Sequence, residues 1–142
     1  MTRIKVELPD NFIFSTEMEV RISDLNYGGH LGHDTLLTMM HEARVRFLNK
    51  HGFTELDIDG AGIIVSEAVI NYKSQAQYGE VLKMEMAIVD IFKKGCSFIY
   101  KVTEKISGRE VARAKIGVVF FDYKNRKILS LPQKFKELLT GA

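Results

Sequence analysis

Only one long stretch of the chain has the apolar spacing of a helix, and the segments on both sides of it have the spacing of strands. Between about residues 30 and 50, apolar side chains recur every three or four positions, at Leu36, Met40, Ala43 and Phe47, with Leu37 and Leu48 widening the stripe. A stripe of this width predicts a helix that is largely buried against a sheet. Gly52 is well placed to end that helix.

The rest of the chain alternates as strands do. Residues 17–22 place Met18, Val20 and Ile22 on one face, which predicts a half-buried strand. Four more strands are predicted at residues 63–73, 81–92, 96–102 and 111–122, followed by a short helix at 133–139. Tight turns between the later strands make them antiparallel. We therefore expect an α+β fold in which a curled antiparallel sheet of about five strands wraps one long central helix.

Length and composition narrow the class of protein. A chain of 142 residues predicts a single domain, spanning residues 1–142. With 20 basic and 18 acidic residues, the charge is too balanced to indicate nucleic-acid binding. The single cysteine, Cys96, excludes an intramolecular disulfide, and the longest apolar stretch, residues 116–121, is too short to span a membrane. We expect a soluble cytoplasmic protein whose exposed sheet edge is buried in a homodimer, or in a dimer of dimers.

Polar and titratable side chains crowd the start of the predicted helix. Two adjacent glycines, Gly28 and Gly29, allow the backbone to approach a ligand closely. The N–H groups at a helix start carry partial positive charge and can stabilise an oxyanion. The crowded groups are Asp24, Asn26, His30, His33 and Asp34. If the helix begins near residue 30, then His30, Asp34 and His41 share one of its faces.

Each of these groups has a plainer interpretation. Asp24 is equally suited to cap a helix or brace a turn, and residues 26–29 to form a turn. Glu42 is more simply explained as an i, i+4 salt bridge with Arg46 than as a catalytic group. The spacing of the histidines matches no standard zinc pattern, so no metal is expected. Cys96 lies within a predicted strand and is interpreted as a small core residue.

The segment SDLNYGGHLGHD, followed by HEARVRFL, resembles the signature of the 4-hydroxybenzoyl-CoA thioesterase family within the hot-dog superfamily. Members typically show Asp-x-Asp, then Gly-His or Gly-Val, then a helix ending in Glu-Ala-Arg or Ala-Arg. Asp24, Gly29, His30 and the run Glu42-Ala43-Arg44 fit this pattern. Tyr72 and the turn at residues 78–80 resemble the family's next segment, so the resemblance covers essentially the whole chain.

The resemblance implies an acyl-CoA thioesterase that needs no cofactor and whose site is shared between two subunits. It also implies that backbone N–H groups near His33 polarise the carbonyl while a carboxylate acts as nucleophile or general base. In many members the second aspartate of the motif is that carboxylate, whereas this chain has Asn26, whose neutral amide can be neither base nor nucleophile. The carboxylate must then be Asp24, Asp34, Glu42 or Glu67.

We predict that a carboxylate and a histidine together activate water. The predicted catalytic residues are Asn26, His30, Asp34 and Glu42, and the predicted substrate-binding residues are Asp24, Gly29 and His33. Two alternative functions remain open: a hot-dog hydratase acting on enoyl- or hydroxyacyl-thioesters, and a non-catalytic acyl-CoA-binding module. Basic residues that could meet the phosphates of CoA are Lys101, Lys105, Arg109 and Arg113, or Lys124, Arg126 and Lys127.

Overall fold

One long helix lies against a single antiparallel sheet of six strands in the computed structural model, which describes residues 3–141. The elements are β1 (Phe14–Glu19), α1 (His33–Lys50), β2 (Gly62–Tyr72), β3 (Val81–Phe92), β4 (Gly95–Glu104), β5 (Glu110–Asp122), β6 (Lys127–Ile128) and α2 (Gln133–Leu139). The order in the sheet is β1-β3-β4-β5-β2, with the short β6 beside β5. The α+β fold with a central helix is therefore confirmed.

The core lies between α1 and the inner face of the sheet. The predicted stripe is buried at Leu36, Met40, Ala43 and Phe47, against strand residues that include Phe98 and Phe120. Leu37, which was predicted to widen this buried stripe, is instead 42% exposed. Cys96 is a buried core residue, as predicted, and burial raises the pKa of its thiol to about 12. No helix within residues 3–141 is long and apolar enough to cross a membrane.

The predicted start of the long helix was wrong by three residues. Leu31 donates its N–H to the carbonyl of Ala76, at 2.8 Å, and Asn26 donates to the carbonyl of His30, at 2.9 Å. These bonds hold the residues before His33 in a non-helical conformation, so α1 begins only at His33. Consequently His30 is not on the helix, and the predicted face shared by His30, Asp34 and His41 does not exist.

The first strand is also displaced, from the predicted residues 17–22 to Phe14–Glu19. Val20 still pairs with the turn before β3, since its N–H donates to the carbonyl of Glu80 at 2.9 Å. The chain then leaves the sheet in a single helical turn at Ile22–Asp24. Ile22, predicted to be buried with Met18 and Val20, is instead 73% exposed for this reason.

A segment ahead of β1 covers the outer face of the sheet; we call residues 4–12 the N-terminal strap. Its Val6 is buried against Ala87 and Ile99 on that face. The Asn71 side chain holds the strap from both sides, accepting from the N–H of Val6 at 2.7 Å and donating to the carbonyl of Ile4 at 2.9 Å. Both faces of the central strands are thus covered, one by α1 and the other by the strap.

Strand β2 forms one free edge of the sheet. Residues 65–68 of this strand are exposed, and the alignment with β5 shifts between Val65 and Glu67. Beside this edge runs a groove of about 360 Å³, which we call the edge groove, lined mainly by apolar side chains of α1 and the sheet. Its lining includes Leu37, His41, Val65, Ala68 and Ile116.

Candidate functional site

The loop before α1 is shaped by Asn26. The Asn26 carbonyl accepts the N–H of Gly29 at 3.0 Å, and its side-chain Oδ1 accepts the N–H of Gly28 at 2.8 Å. Gly29 has φ of +79°, a conformation that favours glycine. The turn interpretation of this segment therefore describes its backbone well, while within residues 3–141 the Nδ2 group of Asn26 has no acceptor and can still donate to a ligand.

Two glycines of this loop allow titratable side chains to approach the backbone. A Cβ atom on Gly28 would lie 3.1 Å from Nε2 of His30, so the imidazole packs against that glycine. A Cβ atom on Gly32 would lie 2.6 Å from Oδ1 of Asp34, so the Asp34 carboxylate folds back over the helix start. This places the carboxylate beside the positive end of the helix dipole.

The first turn of α1 presents backbone donors. The first helical hydrogen bond runs from Leu36 to the carbonyl of Gly32, at 3.0 Å, and Gly32 offers no side-chain cap. In the described part of the chain, the N–H groups of His33, Asp34 and Thr35 have no acceptor. Such groups, aimed at one place, favour a developing negative charge.

Tyr72 connects the end of β2 to the start of α1. Its hydroxyl donates to the carbonyl of His33 at 3.2 Å, and the two rings meet edge to face at a centroid distance of 6.3 Å. Burial and the charge of Asp34 raise the pKa of Tyr72, so its hydroxyl remains a proton donor at neutral pH. The helix start is therefore fixed in position relative to the free edge of the sheet.

These groups surround a cleft of about 340 Å³, which is lined by Asn26, His30, Gly32, His33, Tyr72 and Lys73 among others. A neighbouring depression of about 590 Å³ shares Asn26, His30 and His33 with the cleft and adds Asp34. The structure thus brings together four of the predicted residues around one helix start. Gly29 lies in the same loop and supplies its left-handed turn.

Asp24 and Glu42 lie elsewhere. Asp24 is buried, and its Oδ2 accepts the N–H of Arg21 at 2.8 Å, so it braces the turn that leads into the loop. Glu42 is exposed and accepts from Nε of Arg46 at 2.7 Å, which is the predicted i, i+4 salt bridge. Neither side chain lines the cleft, and Glu67 is exposed on the β2 edge.

A second cluster of titratable groups was missed by the sequence interpretation. Nε2 of His41 lies 2.5 Å from Oε1 of Glu55, and Nε of the buried Arg44 donates to Oε2 of Glu55 at 2.6 Å. Arg44 also donates to the hydroxyl of Tyr100, at 3.3 Å. In the described residues this is the one salt bridge between a histidine and a carboxylate.

The Glu55 carboxyl of this cluster is kept ionised by its hydrogen-bond partners. Burial opposes ionisation of Glu55, but the hydrogen bonds from Arg44 and His41 lower the pKa of its carboxyl below the usual value. Burial raises the pKa of Tyr100 to about 12, which keeps that hydroxyl neutral. A counter-ion for Arg44 could have been anticipated, although not that it is Glu55, because an arginine in the buried stripe of a helix needs a charged partner.

Three of the seven basic residues proposed for phosphate binding are already paired with carboxylates. Lys105 lies 3.0 Å from Glu17, Arg109 lies 2.9 Å from Glu80, and Arg113 lies 2.8 Å from Glu110. Lys73, which lines the cleft, forms no salt bridge within residues 3–141. No group of three or more possible metal ligands occurs in that same range.

Comparisons with known proteins agree with this architecture. The model of the thioesterase-like superfamily matches residues 20–139. A search of curated proteins finds no matching sequence. Among solved structures, a 1,4-dihydroxy-2-naphthoyl-CoA thioesterase from Synechocystis superposes with a TM-score of 0.82 at 22% identity, covering 89% of this chain and 95% of the other.

Two further solved structures show the same fold. A DHNA-CoA thioesterase from Staphylococcus aureus has a TM-score of 0.76 at 21% identity, with 87% of this chain and 84% of the other covered. A gentisyl-coenzyme A thioesterase has a TM-score of 0.76 at 19% identity, with 87% of this chain and 99% of the other covered. At these identities the likeness establishes the hot-dog fold.

Proposed function

The chain belongs to the thioesterase-like superfamily, and on this premise we propose that it hydrolyses an acyl-CoA to the free acid and CoA. The observation that carries the proposal is the set of N–H groups at the start of α1 that have no acceptor within residues 3–141, beside the cleft that holds Asn26 and His30. The structural neighbours named above, each described as acting on a CoA thioester, support this choice of substrate class.

In the proposed reaction, the thioester carbonyl lies against the first turn of α1. The N–H groups near His33 stabilise the negative charge that develops on the carbonyl oxygen when water attacks. Nδ2 of Asn26 and the imidazole of His30 face the same cleft and orient the thioester and its attacking water. Asp24 and Gly29 support the binding loop through its turns rather than through contact with the acyl group.

We assign Lys73 to the charged part of the substrate. CoA carries phosphates, and Lys73 is the one cation that lines the cleft within the described residues. None of the seven predicted basic residues lines the cleft, and three of them, Lys105, Arg109 and Arg113, are paired with carboxylates of their own chain. Lys73 directly follows the last residue of β2, so a phosphate bound there would lie at the β2 side of the cleft. The start of α1 would then remain available for the thioester.

We also propose that the working unit is a homodimer joined along β2. An exposed strand edge with apolar neighbours is a surface that proteins ordinarily cover. Val65, Ala68 and Leu37 are exposed along this edge, and Leu37 belongs to the apolar stripe of α1. Antiparallel pairing of two β2 strands around a two-fold axis would cover these residues and make the two sheets continuous.

The test is release of free CoA, measured with a thiol-trapping reagent across short, medium, long and aromatic acyl-CoA substrates. We expect hydrolysis of at least one class, and a decrease of about 100-fold in His30→Ala, as for loss of a group that positions a proton transfer. Release of no CoA from any of them would exclude a thioesterase. A change in double-bond absorbance with crotonyl-CoA would indicate a hydratase, and tight binding without turnover a binding module.

A further inference from the structure

The cleft at the start of α1 has polarising groups but lacks a carboxylate-supported base. Asn26 occupies the position where the family resemblance implies a carboxylate, and Asp24 and Glu42 are paired with arginines outside the cleft. The His30 imidazole has only one polar contact in residues 3–141, a distance of 3.4 Å from Nδ1 to the carbonyl of Leu31. Asp34 lines the neighbouring depression, with its carboxylate folded back over Gly32, and no carboxylate among the described residues lines the cleft itself. This arrangement favours a base from another part of the protein.

The pair formed by His41 and Glu55 has the properties of such a base. If the Nε2 proton is donated to Glu55, the lone pair of Nδ1 remains available to accept a proton. Glu55 is fixed by the buried Arg44, so the orientation of the imidazole is set by a rigid support. The His41 side chain is 55% exposed and lines the edge groove, so water and substrate can reach it.

His41 is too far along α1 to serve the cleft of its own chain. Eight residues separate it from His33, and the rise of a helix places the two about 12 Å apart along the axis. A general base must lie within about 3 Å of the proton that it takes. As a general base, the pair can therefore reach only a thioester bound at another helix start.

The geometry of β2 identifies that other helix start. The end of β2 lies next to the cleft, because the Tyr72 hydroxyl donates to the carbonyl of His33. The beginning of β2 lies next to the His41–Glu55 pair, because the N–H of Ile63 donates to the carbonyl of Glu55 at 3.0 Å. A two-fold axis through the exposed residues 65–68 brings Tyr72 of one protomer opposite the beginning of β2 in the other. Both helices then lie on the same face of the joined sheet.

We propose that His41, oriented by Glu55, is the general base for a thioester bound at the α1 start of the partner protomer. The inference rests on the proposed function and on the β2 dimer. Each dimer then has two composite sites, each with Asn26, His30 and the N–H donors from one chain and His41 from the other. The apolar edge groove, with Leu37, Val65 and Ala68, would receive the acyl group.

The chemical step is balanced without a further reagent. His41 Nδ1 takes one proton from a water molecule while the water oxygen bonds to the carbonyl carbon, and the oxyanion is held by the N–H groups near His33. The carbon–sulfur bond then breaks, and the sulfur leaves as CoA thiol with the proton that His41 returns. The acid product loses its remaining proton to solvent.

Single variants measured by CoA release test the role of His41. We expect His41→Ala to lower kcat by about 100-fold or more with KM little changed, and added imidazole to restore part of the rate. Glu55 is a positioning residue, so Glu55→Gln should lower kcat and leave KM little changed. The control is Asn49→Ala, an exposed position two turns further along the same helix, which should match the wild type. Full activity of His41→Ala, or loss of activity only in Asp34→Asn, would overturn the proposal.

A mixed dimer tests whether the site is shared. Protomers carrying His30→Ala and His41→Ala, each with a different affinity tag, are co-expressed and the mixed dimer is purified through both tags. One of its two sites then contains both intact histidines, so we expect about half the wild-type activity from two inactive parents. No recovery, or an active wild-type monomer, would contradict a shared site. Absence of CoA release by the wild type would instead reject the proposed function itself.

Discussion

Arg44 is a charged side chain on the buried face of α1, with only 6% of the side chain exposed. Burial alone lowers the pKa of a guanidinium, but Tyr100 and Glu55 outweigh it and the pKa of Arg44 is raised. Glu55 thus has two structural roles: it neutralises a cation that the core would otherwise exclude, and it orients His41. A change at Glu55 should be visible in stability as well as in catalysis.

We predict that Glu55→Gln lowers the free energy of unfolding at pH 7 by about 2 kcal/mol, since it removes a charge-assisted hydrogen bond to a buried arginine. The pKa of Glu55 is lowered in the fold, so its stabilisation is present above the ordinary carboxyl pKa of 4.5 and is lost as pH falls through the folded value. The difference between the variant and the wild type should therefore shrink below about pH 4.

Urea unfolding at pH 7 and at pH 3 measures this difference. The control is Glu42→Gln, whose partner Arg46 is on the surface, and its effect at pH 7 should be under about 0.5 kcal/mol. Equal effects of the two substitutions would show that Glu55 is no more important to the core than a surface carboxylate.

At the scale of elements, the sequence predicts the helix and strand boundaries that depend only on neighbouring residues. The spans of β3 and α2 are those predicted, Val81–Phe92 and Gln133–Leu139, because their periodicity and flanking turns lie within a few residues. The start of α1 was not predictable in this way, since it depends on a hydrogen bond between Leu31 and Ala76 across 45 positions of the chain. The partner of His41 was missed for the same reason: Glu55 lies in an irregular segment beyond the end of the helix.

The pairing of β4 with β5 depends on a glycine. A Cβ atom on Gly95 would lie 2.1 Å from the backbone oxygen of Val118, which the sheet holds in place. We predict that Gly95→Ala lowers the free energy of unfolding by about 1–3 kcal/mol, as for overpacking against fixed atoms. In Gly32→Ala the new atom meets only the mobile end of the Asp34 side chain, at 2.6 Å, and the stability should change by under about 1 kcal/mol.

Thermal or urea unfolding of both alanine variants distinguishes the two kinds of close approach. If Gly95→Ala were as stable as Gly32→Ala, the fit of β4 against β5 would be looser than the backbone indicates. Activity of the folded protein should be reduced more by Gly32→Ala than by Gly95→Ala, because Gly32 lines the cleft at the proposed oxyanion site and Gly95 does not line it.

For the whole molecule, the exposed edge of β2 predicts that two chains form a dimer. We expect the wild-type mass in solution to equal two chains, and Val65→Lys to give one chain, since lysine on an edge strand opposes pairing. Val65 is 48% exposed, and Ile91, which is 51% exposed and lies at the end of β3, provides a matched control in Ile91→Lys. Sedimentation equilibrium measures both, and a dimeric Val65→Lys would place the interface elsewhere.

The N-terminal strap has a consequence for how copies of this protein can aggregate or crystallise. An open sheet with an apolar outer surface is prone to stack on another sheet, as layers do in fibrils. Here Val6 already fills that surface over Ala87 and Ile99, and Asn71 fastens the strap on two sides. With the strap in place, Val6 shields this part of the outer face from stacking on another sheet. A single substitution at Asn71 should therefore release the strap and make the protein prone to aggregate.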